Sequence, residues 1–113
     1  MKRKLLIATD GFLPRWDGIA RFLSEVIPKI KDDFDITVIA PKFPEFEDYE
    51  DKPEGYKIFR VPAHKWKFGD YNPAHLFLKK RDIKNLVSES DIVWVHAVMP
   101  IGVLGIYLSL IHI

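Results

Sequence analysis

Two short stretches of this 113-residue chain hold the residue types from which a reaction site could be built. The first is Asp10-Gly-Phe-Leu-Pro-Arg-Trp-Asp-Gly18, a loop that carries Arg15, Asp17 and Gly18 and leads on to Arg21. It follows an apolar run, Leu5 to Ala8. It precedes apolar residues at Ile19, Phe22, Leu23, Val26, Ile27 and Ile30, the spacing of one helix face. Strand, glycine loop and helix together present backbone N–H groups and a helix N-terminus to an anion, usually a phosphate. A nucleotide-type or sugar-phosphate ligand is the chemistry this suggests. The second stretch is His96, which closes a later apolar run and is followed by Ala-Val-Met-Pro100. On its own it reads either as a reacting group or as a packed residue at a strand end.

Several familiar sites are excluded. The loop has neither the G-x-G-x-x-G spacing of a dinucleotide site nor the Lys-Ser/Thr ending of a P-loop. Gly18 therefore keeps two readings, a point of close anion approach or simply the start of a helix. No Cys, second His or carboxylate stands at ligand spacing beside His96, so no metal is expected there. A chain without cysteine has no disulfides or thiol nucleophiles, which suits a reducing compartment. No G-x-S-x-G elbow supports hydrolase chemistry. Glu45, Glu47, Asp48, Glu50 and Asp51 crowd the stretch Pro41–Gly55, but with no His among them they read as a solvated excursion. A net charge of +1 gives no field for nucleic acid. Absent glutamine, with asparagine only at Asn72 and Asn85, hints at a hot-environment source.

The elements that must position these residues follow from patterning. One domain with a substantial core is expected, since 48% of the residues are hydrophobic and 29% charged. The spacing predicts a strand over Lys4–Thr9, a helix over Gly18–Lys31 capped by Asp17, and a β-branched strand over Phe34–Pro41. Pro28 is expected to kink or tighten the last turn of that helix. A third strand, Tyr56–Pro62, alternates Lys57 and Arg60 with apolar residues, as an edge strand would. Asn72 and Pro73 open a second helix running to about Ser88. Ser90–His96 forms the fourth strand. The basic and aromatic residues Lys65, Trp66, Lys67 and Phe68 read as a loop over the sheet end.

Two segments look superficially membrane-related. Met1-Lys-Arg-Lys precedes an apolar run, but that run stops at Ala8, too short for a signal peptide. Ala97–Ile113 carries no formal charge, yet Pro100, Gly102 and Gly105 interrupt it, and a buried helix is expected. The class that results is α/β, a Rossmann-like doubly wound parallel sheet of about four strands. In such sheets ligands bind at the carboxyl ends of the strands, where strand order reverses. The first and fourth strands are neighbours across that point, so the Gly18 loop and His96 are expected to converge on one cleft.

Lys4–Pro14, the Asp17-Gly-Ile-Ala-Arg21 helix start and Asp91-Ile-Val-Trp-Val-His96-Ala-Val-Met-Pro-Ile-Gly102 together resemble the N-terminal half of a group 1 (family 4) GT-B glycosyltransferase. The resemblance covers Met1 to about Tyr107. It implies an acceptor-binding domain that faces a C-terminal domain holding a nucleotide-sugar donor, with retention of anomeric configuration. It implies no cofactor and no metal, the nucleotide-sugar being a substrate. Gly18 matches the glycine whose backbone approaches the donor phosphate, where the family usually has two glycines and this chain has Asp17-Gly18. His96 matches the histidine that contacts the transferred sugar, and Arg15, Asp17 and Arg21 become candidate acceptor or phosphate contacts. The family's paired glutamates and basic clamp have no counterpart in this sequence, so the chain alone is expected to transfer no sugar. The partners implied are the donor, a glycan, lipid or polyol acceptor, and a C-terminal domain in cis.

Leu108-Ser-Leu-Ile-His-Ile113 resembles a translated sequencing adapter, so 1–107 is expected to be the incomplete native domain and 108–113 a non-native tail. A cytoplasmic location is expected, with Trp66, Phe68 and Lys79-Lys80-Arg81 leaving peripheral membrane contact open. The alternative is a stand-alone flavodoxin-like ligand-binding or regulatory module, against which stands the lack of an acidic cluster beyond Asp10 at the first strand end. A nucleotide-sugar epimerase is disfavoured by the missing glycine fingerprint.

Overall fold

The computed structural model describes residues 2–46, 48–63 and 76–96. Four strands form one sheet: β1 (Arg3–Ala8), β2 (Phe34–Lys42), β3 (Lys57–Pro62) and β4 (Ile92–Val95). Their order is β3-β2-β1-β4 and every pairing is parallel. Helix α1 (Gly18–Ile30) joins β1 to β2, and α2 (Leu76–Glu89) precedes β4. This is a partial Rossmann-like α/β fold, with strand order reversing between β1 and β4.

The two central strands are buried on both faces over Leu5–Ala8 and Val38–Pro41, where every side chain is apolar. Leu5 and Ile7 face one apolar layer with Leu23 and Ile27 of α1, Phe12, Ile36, Val38 and Ala40. Leu6 and Ala8 face the other, with Ile39, Val61 and the α2 residues Ile83 and Val87. Successive residues of one strand thus serve two cores, which is why its hydrophobic run shows no alternation. Burying one such Leu or Ile stabilises the fold by ~1.5–3 kcal/mol. The helices lie on opposite faces, as a doubly wound sheet requires.

Element boundaries agree with the pattern to within a residue or two. Asp17 caps α1, its Oδ1 accepting from the Ala20 N–H at 2.8 Å. Pro28 is accommodated inside the helix, which continues to Ile30. The expected apolar stripe of α1 is narrower than its spacing suggests: Ala20, Leu23 and Ile27 are buried, whereas Phe22 is 45% exposed. At the opposite rim the Asp91 carboxylate accepts from the Lys4 N–H at 2.8 Å and the Asp91 N–H donates to the Lys4 carbonyl at 2.9 Å. The start of β4 is thereby fastened to the start of β1.

Other expectations fall outside the described residues. These are the loop around Lys65–Phe68, the Asn72-Pro73 helix start, the helix expected within Ala97–Ile113 and the tail 108–113. Among the described residues, no helix is long and apolar enough to cross a membrane.

Candidate functional site

The carboxyl rim of the sheet begins where β1 ends. Thr9 continues the ladder, donating its N–H to the Ile39 carbonyl at 3.0 Å. Its hydroxyl then donates to the Gly11 carbonyl at 2.7 Å and accepts from the Gly11 N–H at 3.2 Å, turning the chain off the sheet. Thr9 and Asp10 are the buried polar residues among those described, at 0% and 5% exposure. In sequence this turn is marked only by the polar pair Thr9-Asp10 directly after an apolar run. Gly11 is closely approached: a Cβ there would lie 3.2 Å from Asp17 Oδ2 and 3.4 Å from the Ile19 side chain, so a larger residue would push the capping carboxylate by a few tenths of an ångström.

Gly18 differs in kind. It lies outside the left-handed region, and a Cβ added to it would meet no atom within 4 Å. Neither backbone conformation nor packing demands glycine at this position; the space before it is open. Asp17 beside it is already engaged as the helix cap. Its carboxylate offsets part of the positive end of the α1 dipole, which lowers the attraction of the first turn for a second anion.

His96 directly follows β4, its N–H donating to the Ala8 carbonyl at 2.9 Å. The imidazole lies parallel to the Phe22 ring, with centroids 5.0 Å apart and planes at 6°. Trp94, two residues earlier on the same face of β4, meets His96 edge-on at 5.7 Å and Phe22 edge-on at 6.2 Å. Phe22 stands four residues after Gly18, on the same side of the helix. The stack therefore places His96 against the opening turns of α1, and the two stretches meet at one rim. The spacing places Phe22 on the apolar face of α1; the structure leaves it partly exposed, against the rings of Trp94 and His96.

The two arginines of the loop and helix lie elsewhere. Arg15 pairs with Glu45 and sits over the Phe43 ring at 4.3 Å, on the β2 flank of the rim. Arg21 is exposed and pairs with Glu25 one turn along at 3.6 Å. The contact to His96 is thus made by Phe22, one turn after Gly18, while Arg15 lies on the β2 flank and Arg21 on the outer helix surface.

Sequence reasoning missed Arg60. Its position in β3 is that of an edge residue, yet its side chain is only 14% exposed. Nε and Nη2 donate to the two Asp51 oxygens at 2.8 and 2.6 Å. Nη1 donates to the Pro41 carbonyl at 2.9 Å, and Nη2 also donates to the Leu13 carbonyl. One guanidinium thus ties together the β1–α1 loop, the end of β2 and the β2–β3 loop. Glu45 and Asp51 of the acidic stretch are consequently paired with arginines, whereas Asp48 and Glu50 remain exposed as expected. Tyr56, at the foot of the same loop, has its phenol pKa raised above the ordinary 10.0 by burial first, then by the charge of Asp51.

Over 109 aligned residues the chain is 30% identical to the GDP-mannose-dependent alpha-(1-6)-phosphatidylinositol monomannoside mannosyltransferase of Mycolicibacterium smegmatis (strain ATCC 700084 / mc(2)155). The chain is related to a glycosyltransferase. The match covers 89% of this chain and 26% of the mycobacterial protein, so the chain spans about a quarter of that relative. No family model matches the chain, and no solved structure matches it. Among the described residues, no group of three or more His, Cys, Asp or Glu is placed to hold a metal ion.

Proposed function

We propose that this chain is the acceptor-side, N-terminal part of a retaining GT-B glycosyltransferase of the group 1 (family 4) type, with 1–107 its Rossmann-like domain and 108–113 foreign to it. The observation that carries the proposal is the Phe22–His96 stack, which brings the histidine to the helix that Gly18 opens. The similarity to a mannosyltransferase supports a hexosyl group as the transferred sugar. A nucleotide-sugar donor would bring its phosphate to the open face of Gly18, where the missing Cβ admits it to the backbone N–H groups. The imidazole of His96 would orient a sugar hydroxyl and set its dipole toward positive charge developing at the reacting carbon. Asp17 acts through α1, as its cap. The acceptor is a glycan, a lipid-linked sugar or a small polyol, and the donor grip comes from a second domain downstream in the same polypeptide. Without that domain, developing charge on the leaving diphosphate has little to stabilise it, and the 113-residue chain alone transfers nothing. The reaction belongs on the cytoplasmic side, with peripheral membrane contact through the segment around Trp66 and Phe68.

The test is turnover of nucleotide sugars by the complete polypeptide that contains this chain. His96→Ala is expected to lower kcat by roughly 10²-fold, with a smaller change in acceptor KM. Full turnover by that variant, or measurable transfer by the 113-residue chain, would overturn the reading.

A further inference from the structure

The geometry points to a second binding site on the same rim, on the flank away from His96: a groove beside Arg60 that takes one uncharged pyranose ring. It deepens the acceptor-side reading and rests on it for its role in transfer. The groove encloses about 220 Å³ between the β1–α1 loop, the end of β2 and the β2–β3 loop. Pockets for drug-sized ligands run to ~300–1,000 Å³, so this space suits a single ring and not a nucleotide.

Its lining has the three kinds of group that a sugar ring needs. Phe46 and Tyr49 line it while remaining 37% and 44% exposed, so aromatic surface is held in water beside a concavity. Aromatic faces of this kind cover the apolar C–H face of a pyranose. Arg60 uses four of its five N–H donors on Asp51, Pro41 and Leu13, which leaves one Nη1 hydrogen for a hydroxyl oxygen. Lys42 lines the groove and has no hydrogen-bond or ion-pair partner among the described residues, giving a second donor. Each Asp51 oxygen keeps a lone pair after accepting from Arg60, enough to receive a hydroxyl proton.

Charge selects the class of ring. Among the described residues of the lining, the Arg60 and Asp51 charges cancel and Lys42 carries the one remaining charge. Asp48 and Glu50, both exposed on either side of Tyr49 in the chain, act against an anionic ring. The hydrogen bonds held in place by the clasp keep the floor fixed before ligand arrives, so little ordering accompanies binding.

The experiment is saturation-transfer NMR on the 113-residue chain with methyl α-D-mannopyranoside as probe and no donor present. Saturation should reach the C–H face of the ring. Tyr49→Ala should weaken binding about three- to tenfold, Tyr49→Phe should restore it, and Lys42→Gln should weaken it less. Undiminished saturation in Tyr49→Ala, no saturation in the parent chain, or tighter binding of mannose 6-phosphate than of the neutral ring would each overturn the assignment. Tyr49 and Lys42 are exposed, so the fold does not depend on either. Because neither donor nor turnover is involved, loss of this site leaves the transferase reading standing. A complete polypeptide that binds the ring at Tyr49 but transfers no sugar would sink that reading alone.

Discussion

The two flanks of the carboxyl rim are built in opposite ways. On the β2–β3 side one guanidinium makes four hydrogen bonds to three separate segments, and Arg15 adds an ion pair and a ring contact beside it. On the β1–β4 side Gly18 faces open space, and the His96 ring is held by the flat faces and edges of Phe22 and Trp94. Directional polar bonds fix loops; ring contacts hold an imidazole in place while leaving its nitrogens available. A site needs both, a stiff frame and a receptive face, and here they lie on the two sides of β1.

That contrast is open to measurement. Arg60→Ala removes the frame, leaving the Asp51 carboxylate and two carbonyls without their partner. We expect a loss of about 3 kcal/mol by urea denaturation, and Arg60→Lys should recover only part of it because a lysine cannot bridge both oxygens. A loss under ~0.5 kcal/mol, the scale of ordinary surface substitutions, would mean that the clasp does not carry the frame.

Asp17→Ala tests the receptive face. Losing the bond to the Ala20 N–H should cost ~1 kcal/mol, with amide exchange quickening in the first turn of α1 and not at Asp51 or Arg60. Equal quickening at both flanks would show that they are one cooperative unit.

The smallest effect is expected from Tyr56→Phe. The folded-state phenol has a pKa above its unfolded value, so its contribution is complete below pH 10.0 and is lost as pH rises from there through the raised folded pKa. The denaturation midpoint of the parent should fall over that window more steeply than that of the phenylalanine variant. Parallel curves would remove Tyr56 from the buried side of the frame.

The fold was legible because its signals are local. A continuous apolar run at Leu5–Ala8, Asp17 placed before a helical stripe and β-branched residues at Ile36, Val38 and Ile39 each specify an element from neighbours in sequence. That the start of α1 and His96 lie at the same end of the sheet followed from topology, since parallel strands deliver their ends to one rim. The clasp was not legible. Its bonds join Arg60 to residues 9, 19 and 47 positions away, and nothing in the alternation of β3 separates a charge that is clasped from one that is solvated. Phe22 was hidden for a related reason: helical spacing assigns it to an apolar stripe but does not say that its neighbour is a histidine 74 positions later.

The placement of β1 also bears on how the chain is made. Of the four strands of this sheet, the one made first lies between two others, and the bond from the Lys4 N–H to Asp91 spans 87 positions. At ~5–20 residues per second, one side of β1 waits roughly 4–17 s after it is synthesised before β4 exists to pair with it. During that interval Leu5, Leu6 and Ile7 form a nascent strand with an open edge, the kind of surface that holdase chaperones cover and that neighbouring chains on a polysome can seize.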